Sequence, residues 1–556
     1  MFFKIHVINV KLLQIWLHFT FRMWAFTFFA VTVVLWLFWR KRRFSIFKEL
    51  GIPGPEPNLL FGNLLELFSK DPIKCQKEWI QKFGKVVGYY YGTEPIVLIT
   101  DVEMLKKIQI SDFHKFMNRP KLFVGPSVKP KEKQIDERPF SQNLITLRDK
   151  RWKDIRATLT PSFTASKMKQ MAPIINDAVD SLINNVEKKS NAGESFDIYP
   201  MYQGLTMDVI GRTAFGIQTD VQNDPNDPFI RSARVLFSDD IRSALAIIAA
   251  SFRELDKFWF QVNRIRFIFK NKGKNPMTEL LESVKKVINL RRKNKESRRN
   301  DLLQLMIDAK TDDTSTVTTD DLTAKDNIDT TEIQTAGSSS GKIIRQMTDA
   351  EIISNSLLFF LAGYETTSNA LAFTTHFLLN YPEVQDKIRE EVLQLLKSEN
   401  ELDYYSVNKL QYLDNVLHES LRLYPPVHLF VSRECGEDVQ FDKIRLKKGL
   451  AVQVPSFILH RDPELWEDPE MFKPERFAPE NKQKLNPLAY QPFGAGPRNC
   501  VGMRFALMEA KLALARLLSK YKLKPCAETE SEPITLTIRR NSIKPGKGIY
   551  LKAVPL

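Results

Sequence analysis

Ten residues near the C-terminus carry the densest chemistry in the chain: Phe493-Gly494-Ala495-Gly496-Pro497-Arg498-Asn499-Cys500-Val501-Gly502. A helical pattern, MRFALMEAKLALARLLSK, follows directly, so Cys500 ends a glycine-rich turn at a helix N-terminus. Free backbone N–H groups and the helix dipole favour a thiolate there, and Arg498 adds positive charge. The glycines let the backbone pack closely against something flat. The other cysteines are Cys75, Cys435 and Cys526, and no two of the four form a C-x-x-C pair. That spacing excludes a disulfide scaffold and a thiolate zinc site. A second candidate is Gly363-Tyr364-Glu365-Thr366-Thr367, where an acid and a hydroxyl adjoin. A third is Glu419 with Arg422, which at i,i+3 share one helix face.

The elements that must position these groups are legible too. Thr348-Asp349-Ala350-Glu351 reads as a capping box opening a helix that runs to about Asn380, where Tyr381-Pro382 stops it. Leu357–Ala362 is apolar all round, as expected of a helix through the centre of a protein. Glu365 and Thr366 fall in that buried stretch, where an ionisable group needs a partner or a function, and Gly363 is expected to open a kink. Leu410–Leu423 is expected to be the helix of Glu419 and Arg422, ended by Pro425-Pro426; Tyr89–Thr100 has strand character.

In this order the motifs resemble the cytochrome P-450 family. Phe493-x-x-Gly496-x-Arg498-x-Cys500-x-Gly502 is similar to its haem-binding loop, and Ala362–Thr367 to its oxygen-activation motif. Glu419-Ser420-Leu421-Arg422 resembles its E-x-x-R helix, Pro474-Glu475-Arg476-Phe477 its P-E-R-F segment, and Trp152-Lys153-Asp154-Ile155-Arg156 its W-x-x-x-R helix. The likeness covers roughly Pro53 to Leu551. It looks closest to the vertebrate drug- and steroid-oxidising enzymes and their insect detoxification relatives, through Asp301–Asp308, Ala362–Thr367 and Pro497–Leu507. Asn118-Arg119-Pro120 departs from close relatives, which often have two arginines there.

The resemblance implies a mainly α fold with small β-sheets: one large haem domain behind an N-terminal transmembrane helix. It implies haem b with Cys500 as the axial thiolate ligand of the iron. Arg498, Trp152, Arg156 and Arg433 would meet the propionates, with Phe493 and Gly502 completing the cradle. Thr366 and Glu365 would deliver protons. Glu419, Arg422 and Arg476 would form a buried structural network. Leu361, Ala362, Val427 and Leu429 would face the substrate, under a membrane-proximal lid near Ala244–Phe260. The implied reaction is insertion of one atom of O2 into a lipophilic substrate, a xenobiotic, steroid or related lipid. Electrons would come from NADPH through NADPH–cytochrome reductase, with cytochrome b5 as a further candidate partner. A haem-thiolate peroxide isomerase or dehydratase, and a non-catalytic haem sensor, are the competing classes; the Glu365-Thr366 pair argues against both.

Length, charge and hydropathy complete the expectation. The chain has 556 residues, 43% hydrophobic, and a formal charge of +15. Met23–Trp39 is uncharged and followed by Arg40-Lys41-Arg42-Arg43, which reads as an uncleaved anchor with a stop-transfer cluster. The positive-inside rule then puts the catalytic domain on the cytoplasmic side of a single-pass protein of the endoplasmic reticulum membrane. The expected organisation is an N-terminal extension (1–22, with Met23 as an alternative start), an anchor (23–39), a stop-transfer and Pro-rich hinge (40–57) and a catalytic domain (58–556). Residues 311–342 hold seven acids against two lysines and read as a disordered acidic loop. The excess positive charge is expected to serve a membrane surface and, around Arg148–Arg156, an acidic redox partner; nucleic acid is excluded as a partner.

Overall fold

A computed structural model describes residues 2–309, except 121–140, 218, 225–226, 237–242, 257, 260, 263–264, 267–275 and 300, and residues 346–556, except 400, 430 and 540–541. The expected acidic loop at 311–342 lies outside the described residues. The body is built around the helix Asp349–Asn380, whose 32 residues open on the expected capping box: Thr348 Oγ1 accepts from Glu351 N–H, and Glu351 reaches back to Thr348 N–H. Its apolar faces are buried by the helices Tyr199–Phe215, Gln411–Leu423 and Met503–Lys520. The helix is continuous through Gly363, where a kink was expected. A Cβ there would come 3.0 Å from two side-chain carbons of Ile210, so this glycine lets two central helices approach.

The expected strand at 89–100 is a hairpin instead, β1 (Val86–Tyr91) and β2 (Glu94–Ile99). With β3 (Ser432–Glu434) and β4 (Ala451–Gln453) it makes a sheet of order β1-β2-β4-β3, in which only β2 and β4 run parallel. Gly92 turns the hairpin at φ +62°, and a Cβ on it would lie 2.0 Å from the Ala250 carbonyl oxygen. A second hairpin, β5 (Leu536–Arg539) and β6 (Ser542–Pro545), packs on the central helix.

The N-terminal helix runs from Phe2 to Arg43, and His18–Leu50 is long and apolar enough to cross a membrane. The segment read as a hinge is docked on the sheet. Phe44, Phe47, Leu50 and Ile52 are buried, and Gly88 N–H donates to the Pro53 carbonyl at 2.8 Å. Of the four bases expected to face lipid, Lys41 and Arg42 are exposed, but Arg40 is fully buried. Arg40 donates to the Leu60 carbonyl at 2.7 Å and to the Ser251 carbonyl, and its guanidinium lies beside the stacked rings of Trp36 and Phe252, 4.7 and 4.9 Å from their centroids. Arg43 donates to the Thr93 carbonyl and to Glu94, both at 3.1 Å. The stem of the anchor is therefore bolted to the sheet and to the helix Ala244–Ser251, because a desolvated guanidinium needs carbonyls and aromatic faces on all sides. In bilayer-embedded protein, Arg40→Ala should speed amide exchange in peptides covering 58–62 and 244–256 roughly thirtyfold, from two lost hydrogen bonds of about 1 kcal/mol each. Exchange in the central helix should stay unchanged.

Candidate active site

The turn before Cys500 is cinched by its own backbone. Cys500 N–H donates to the Phe493 carbonyl and Asn499 N–H to the Gly496 carbonyl, both at 2.9 Å. Gly494 and Gly496 take φ of +74° and +69°, a region that favours glycine. A Cβ on Gly496 would sit 2.0 Å from the Gln109 carbonyl oxygen, so the loop also presses on the segment Lys107–Ser111. Gly502 caps the helix Met503–Lys520, and Cys500 stands just ahead of that N-terminus. Of the four cysteines, Cys500 alone is exposed. Burial pushes the Cys75 thiol up to about 12 and the Cys435 thiol up to about 11, which makes both poor thiolates at neutral pH.

Around Cys500 the fold gathers guanidinium groups. Arg156, 2% exposed on the helix Asp149–Leu159, donates to the backbone and side-chain oxygens of Asn499 at 2.9 and 2.8 Å. Arg433 on β3 donates to the carbonyls of Ser432 and Ala495 at 2.9 and 3.1 Å, and its buried Nε meets no hydrogen-bond partner. Arg498 lies 4.1 Å over the Trp152 ring and donates to the carbonyls of Met117, Leu144 and Leu147 at 2.9, 3.1 and 2.9 Å. Burial, and for Arg119 its neighbours Arg433 and Arg156, push the acidity constants of Arg119, Arg156 and Arg433 down to about 9, 10 and 10. Burial and the same neighbours hold Arg498 well below the ordinary range. A guanidinium keeps its proton in a protein, so these directions express a shortage of nearby negative charge. The thiolate of Cys500 relieves part of it at Arg119 and Arg156. The orphaned Nε of Arg433 and this like-charged set fit a group that brings two carboxylates. The donor chemistry suits a haem with its propionates. Arg119 belongs to this set, and a single sequence could not assign it.

One stripe of the central helix is linked to the loop through Phe163. Phe359, Ala362 and Thr366 are spaced i, i+3, i+7 and so share a face. The Phe359 and Phe163 rings lie 6.0 Å apart, tilted by 31°, and a Cβ on Gly502 would lie 3.8 Å from Phe163, which ties this stripe to the cysteine loop. Ala362 is exposed and Leu361, Gly363 and Thr366 half-buried, midway along a helix otherwise packed, so the stripe lines an internal cleft. Thr366 Oγ1 donates to the Ala362 carbonyl at 2.6 Å. Glu365 points elsewhere: it is 1% exposed and accepts from Ser542 Oγ at 3.2 Å on β6. Val427 bridges Ser542, and the Leu429 carbonyl accepts from Gln453 Nε2 at 2.9 Å, which places the segment after Pro425-Pro426 beside the same hairpin and sheet.

Glu419, Arg422 and Arg476 are joined as one buried network. Arg422 forks onto both Glu419 oxygens at 2.7 Å, and Arg476 Nε donates to Glu419 Oε1 at 3.3 Å. Arg422 also donates to the carbonyls of His460, Pro469 and Met471 at 2.8, 2.7 and 3.0 Å. His460, Gln491 and Gln109 were missed in the sequence, since a lone His or Gln in an irregular stretch gives no signal. His460 Nδ1 lies 3.0 Å from the Arg422 carbonyl, and His460 Nε2 accepts from Gln491 N–H at 2.8 Å. Gln109 Nε2 donates to Gln491 Oε1 at 2.9 Å, so the network reaches the cysteine loop. With Nε2 accepting and the ring desolvated, burial pushes His460 from 6.5 down to about 3. Between those values the unfolded chain binds a proton that the native state refuses. Stability should therefore fall by about 1.4 kcal/mol per pH unit as pH drops below about 6.5, a slope that His460→Gln should lack in denaturant titrations.

An exposed, cinched cysteine among arginines, linked through Phe163 to a hydroxyl-bearing stripe of a long central helix, fits a thiolate-ligated haem protein. The sequence profile described as Cytochrome P450 matches residues 52–553. Cytochrome P450 3A29 of Sus scrofa is 34% identical over 527 residues, 95% of either chain. Cytochrome P450 3A1 of Rattus norvegicus is 35% identical over 534 residues, again 95% of each, and cytochrome P450 3A28 of Bos taurus 33% over 551, covering 96% of this chain and 97% of its own. The chain belongs to the cytochrome P450 family and is a monooxygenase of that family, with thiolate-ligated haem as its cofactor.

Proposed function

We propose that this chain takes electrons from NADPH through NADPH–cytochrome reductase, with cytochrome b5 as an auxiliary donor, and oxidises lipophilic xenobiotics, steroids or related lipids. The observation that carries the reading is the pairing of Cys500 in its loop among arginines with the Ala362–Thr366 stripe, linked through Phe163. When bound, the haem supplies the activation of O2 and the oxygen atom that enters the substrate. The chain's own residues hold and steer. Cys500 Sγ would ligate the iron, while Arg433, Arg156, Arg119, Arg498 and Trp152 would secure the propionate side, with Phe493 and Gly502 against the macrocycle. Thr366 Oγ1 would pass protons into the cleft, and Glu365 would feed Thr366 from the hairpin side. Leu361, Ala362, Val427 and Leu429 offer apolar side chains to the substrate and exclude bulk water.

The anchor would hold the protein in the endoplasmic reticulum membrane as a single-pass protein with the body on the cytoplasmic side, supported by the bases that follow the span. For reductase docking, the helix Asp149–Leu159 has little free charge to offer. Arg148 is bonded to Glu434, Arg151 to Glu351, Lys150 to Asp154, and Arg156 is internal. Reductase affinity should therefore fall with salt less steeply than these four bases, left unpaired, would give.

The test is a reconstituted assay: purified protein, reductase, NADPH, 18O2 and a panel of lipophiles. Labelled product, with a thiolate-type red-shifted Soret band in the reduced CO complex, is expected. Peroxide rearrangement without NADPH would instead mark an isomerase. Thr366→Ala should lower product formed per NADPH about tenfold or more and raise hydrogen peroxide release, with substrate binding spectra unchanged. Unchanged coupling would remove Thr366 from proton delivery.

A further inference from the structure

Glu365 and Asn369 stand one turn apart on the central helix, and both reach the same hairpin. Ser542 Oγ donates to Glu365 Oε1 at 3.2 Å, and Asn369 Nδ2 donates to the Ile543 carbonyl at 3.0 Å. The Tyr199 hydroxyl donates to Asn369 Oδ1 at 2.7 Å. From its other side the hairpin is tied to the segment after the E-x-x-R helix: Ile543 N–H donates to the Pro426 carbonyl at 2.9 Å, and Ser542 bridges Val427. Ser542 is 8% exposed and Glu365 1%, so this bond is screened from bulk water. Thr366 shares none of it. Its hydroxyl is turned to the Ala362 carbonyl on the cleft stripe, and successive residues of a helix point about 100° apart.

We infer that Ser542 is a positioning residue for the monooxygenase reaction: its hydroxyl holds the Glu365 carboxyl on the hairpin side of the central helix and so sets how readily that carboxyl serves Thr366. The inference rests on the reading of Glu365 as the proton source. The division of labour follows from the geometry. The carboxyl is parked on β6, in a dry site where the Ser542 hydroxyl donates to it, and the Thr366 hydroxyl waits on the stripe. Transfer then requires the protonated Glu365 to leave Ser542, pass its proton to Thr366 Oγ1 as Thr366 releases its own into the cleft, and return to Ser542 as a carboxylate that takes its next proton from water. The ties from Ile543 to Pro426 and from Ser542 to Val427 keep the hairpin in its place while this happens, with or without Asn369. The network uses residues from four distant parts of the chain, and Tyr199, Asn369 and Ser542 belong to no motif visible in the sequence.

The experiment measures product, NADPH and hydrogen peroxide with the full-length holoenzyme and reductase, in H2O and D2O. Ser542→Ala should change peroxide released per NADPH by about tenfold, the worth of one hydrogen bond to a carboxylate, and should change the solvent isotope effect on product formation. KM for substrate should stay the same, and Ser542→Thr, which keeps the hydroxyl, should restore both values. Asn369→Ala loosens the same hairpin without touching Glu365 and should leave coupling unchanged. If Asn369→Ala reproduces the Ser542→Ala effect, the hairpin acts by packing and the inference is overturned. If Glu365→Gln alters coupling while Ser542→Ala does not, the inference fails and the role of Glu365 stands. If Glu365→Gln is silent, both fall together.

Discussion

Cys500→Ala should abolish monooxygenase activity and the red-shifted Soret band of the reduced CO complex. No other thiol can take its place. Cys75 and Cys435 are buried and held protonated, and Cys526 is engaged with Thr529 on the turn after the strand Tyr521–Lys524. The loss is one of ligand chemistry rather than of fold. The loop is fixed by the backbone bonds from Cys500 to Phe493 and from Asn499 to Gly496, by Arg156 on Asn499 and by Arg433 on Ala495, none of which uses the sulfur. The variant should therefore keep its circular dichroism spectrum and most of its thermal stability while losing the spectral signature. A retained thiolate-type band in Cys500→Ala would falsify the ligand assignment.

Arg422→Ala should leave almost no haem-loaded protein. Both side chains of the Glu419–Arg422 pair are 0% exposed, so removing the guanidinium strands a carboxylate in the interior. Arg476 at 3.3 Å and the Lys473 N–H at 2.9 Å are then its remaining support. Breaking a buried pair on one side costs about 3–5 kcal/mol, against a whole stability of about 5–15 kcal/mol. Three backbone carbonyls, of His460, Pro469 and Met471, lose their donor at the same time. The His460 carbonyl matters most, because His460 carries the link through Gln491 to the cysteine loop. Arg422→Lys should not rescue, since an ammonium cannot fork onto a carboxylate and reach three carbonyls at once. Haem content per purified protein and thermal unfolding of the residue that survives are the measurements. Normal haem loading in Arg422→Ala would show that Arg476 alone can carry Glu419.

Most of the machinery was legible because it is written in short, local spacings. The capping box at Thr348 and the length of the central helix follow from a capping pattern and an apolar run, and both stand as read. The cysteine turn, the Glu419–Arg422 pair and the anchor with its four bases are also local signals. The misreadings have two causes, an overlooked local turn and contact between distant segments. The strand at 89–100 became a hairpin because Gly92 turns the chain at φ +62°. Arg40 read as a lipid-facing base because its partners, Leu60, Ser251 and Phe252, lie up to 212 positions away.

The sequence by itself determined which chemistry this protein carries: a thiolate on a glycine turn, an acid and hydroxyl in a buried helix, a buried ion network and a membrane span. These depend on residue type and on neighbours within a turn or two, which the chain states directly. Only the tertiary structure decided where that chemistry points. It gathered Arg119, Arg156, Arg433 and Arg498 about one cysteine, turned Glu365 to Ser542 and Thr366 to the Ala362 carbonyl, and sank Arg40 beside two stacked aromatic rings. Each of those outcomes is a choice of partner by a polar group leaving water. Such a choice is settled by which distant backbone and side-chain atoms the packed core brings within hydrogen-bond reach.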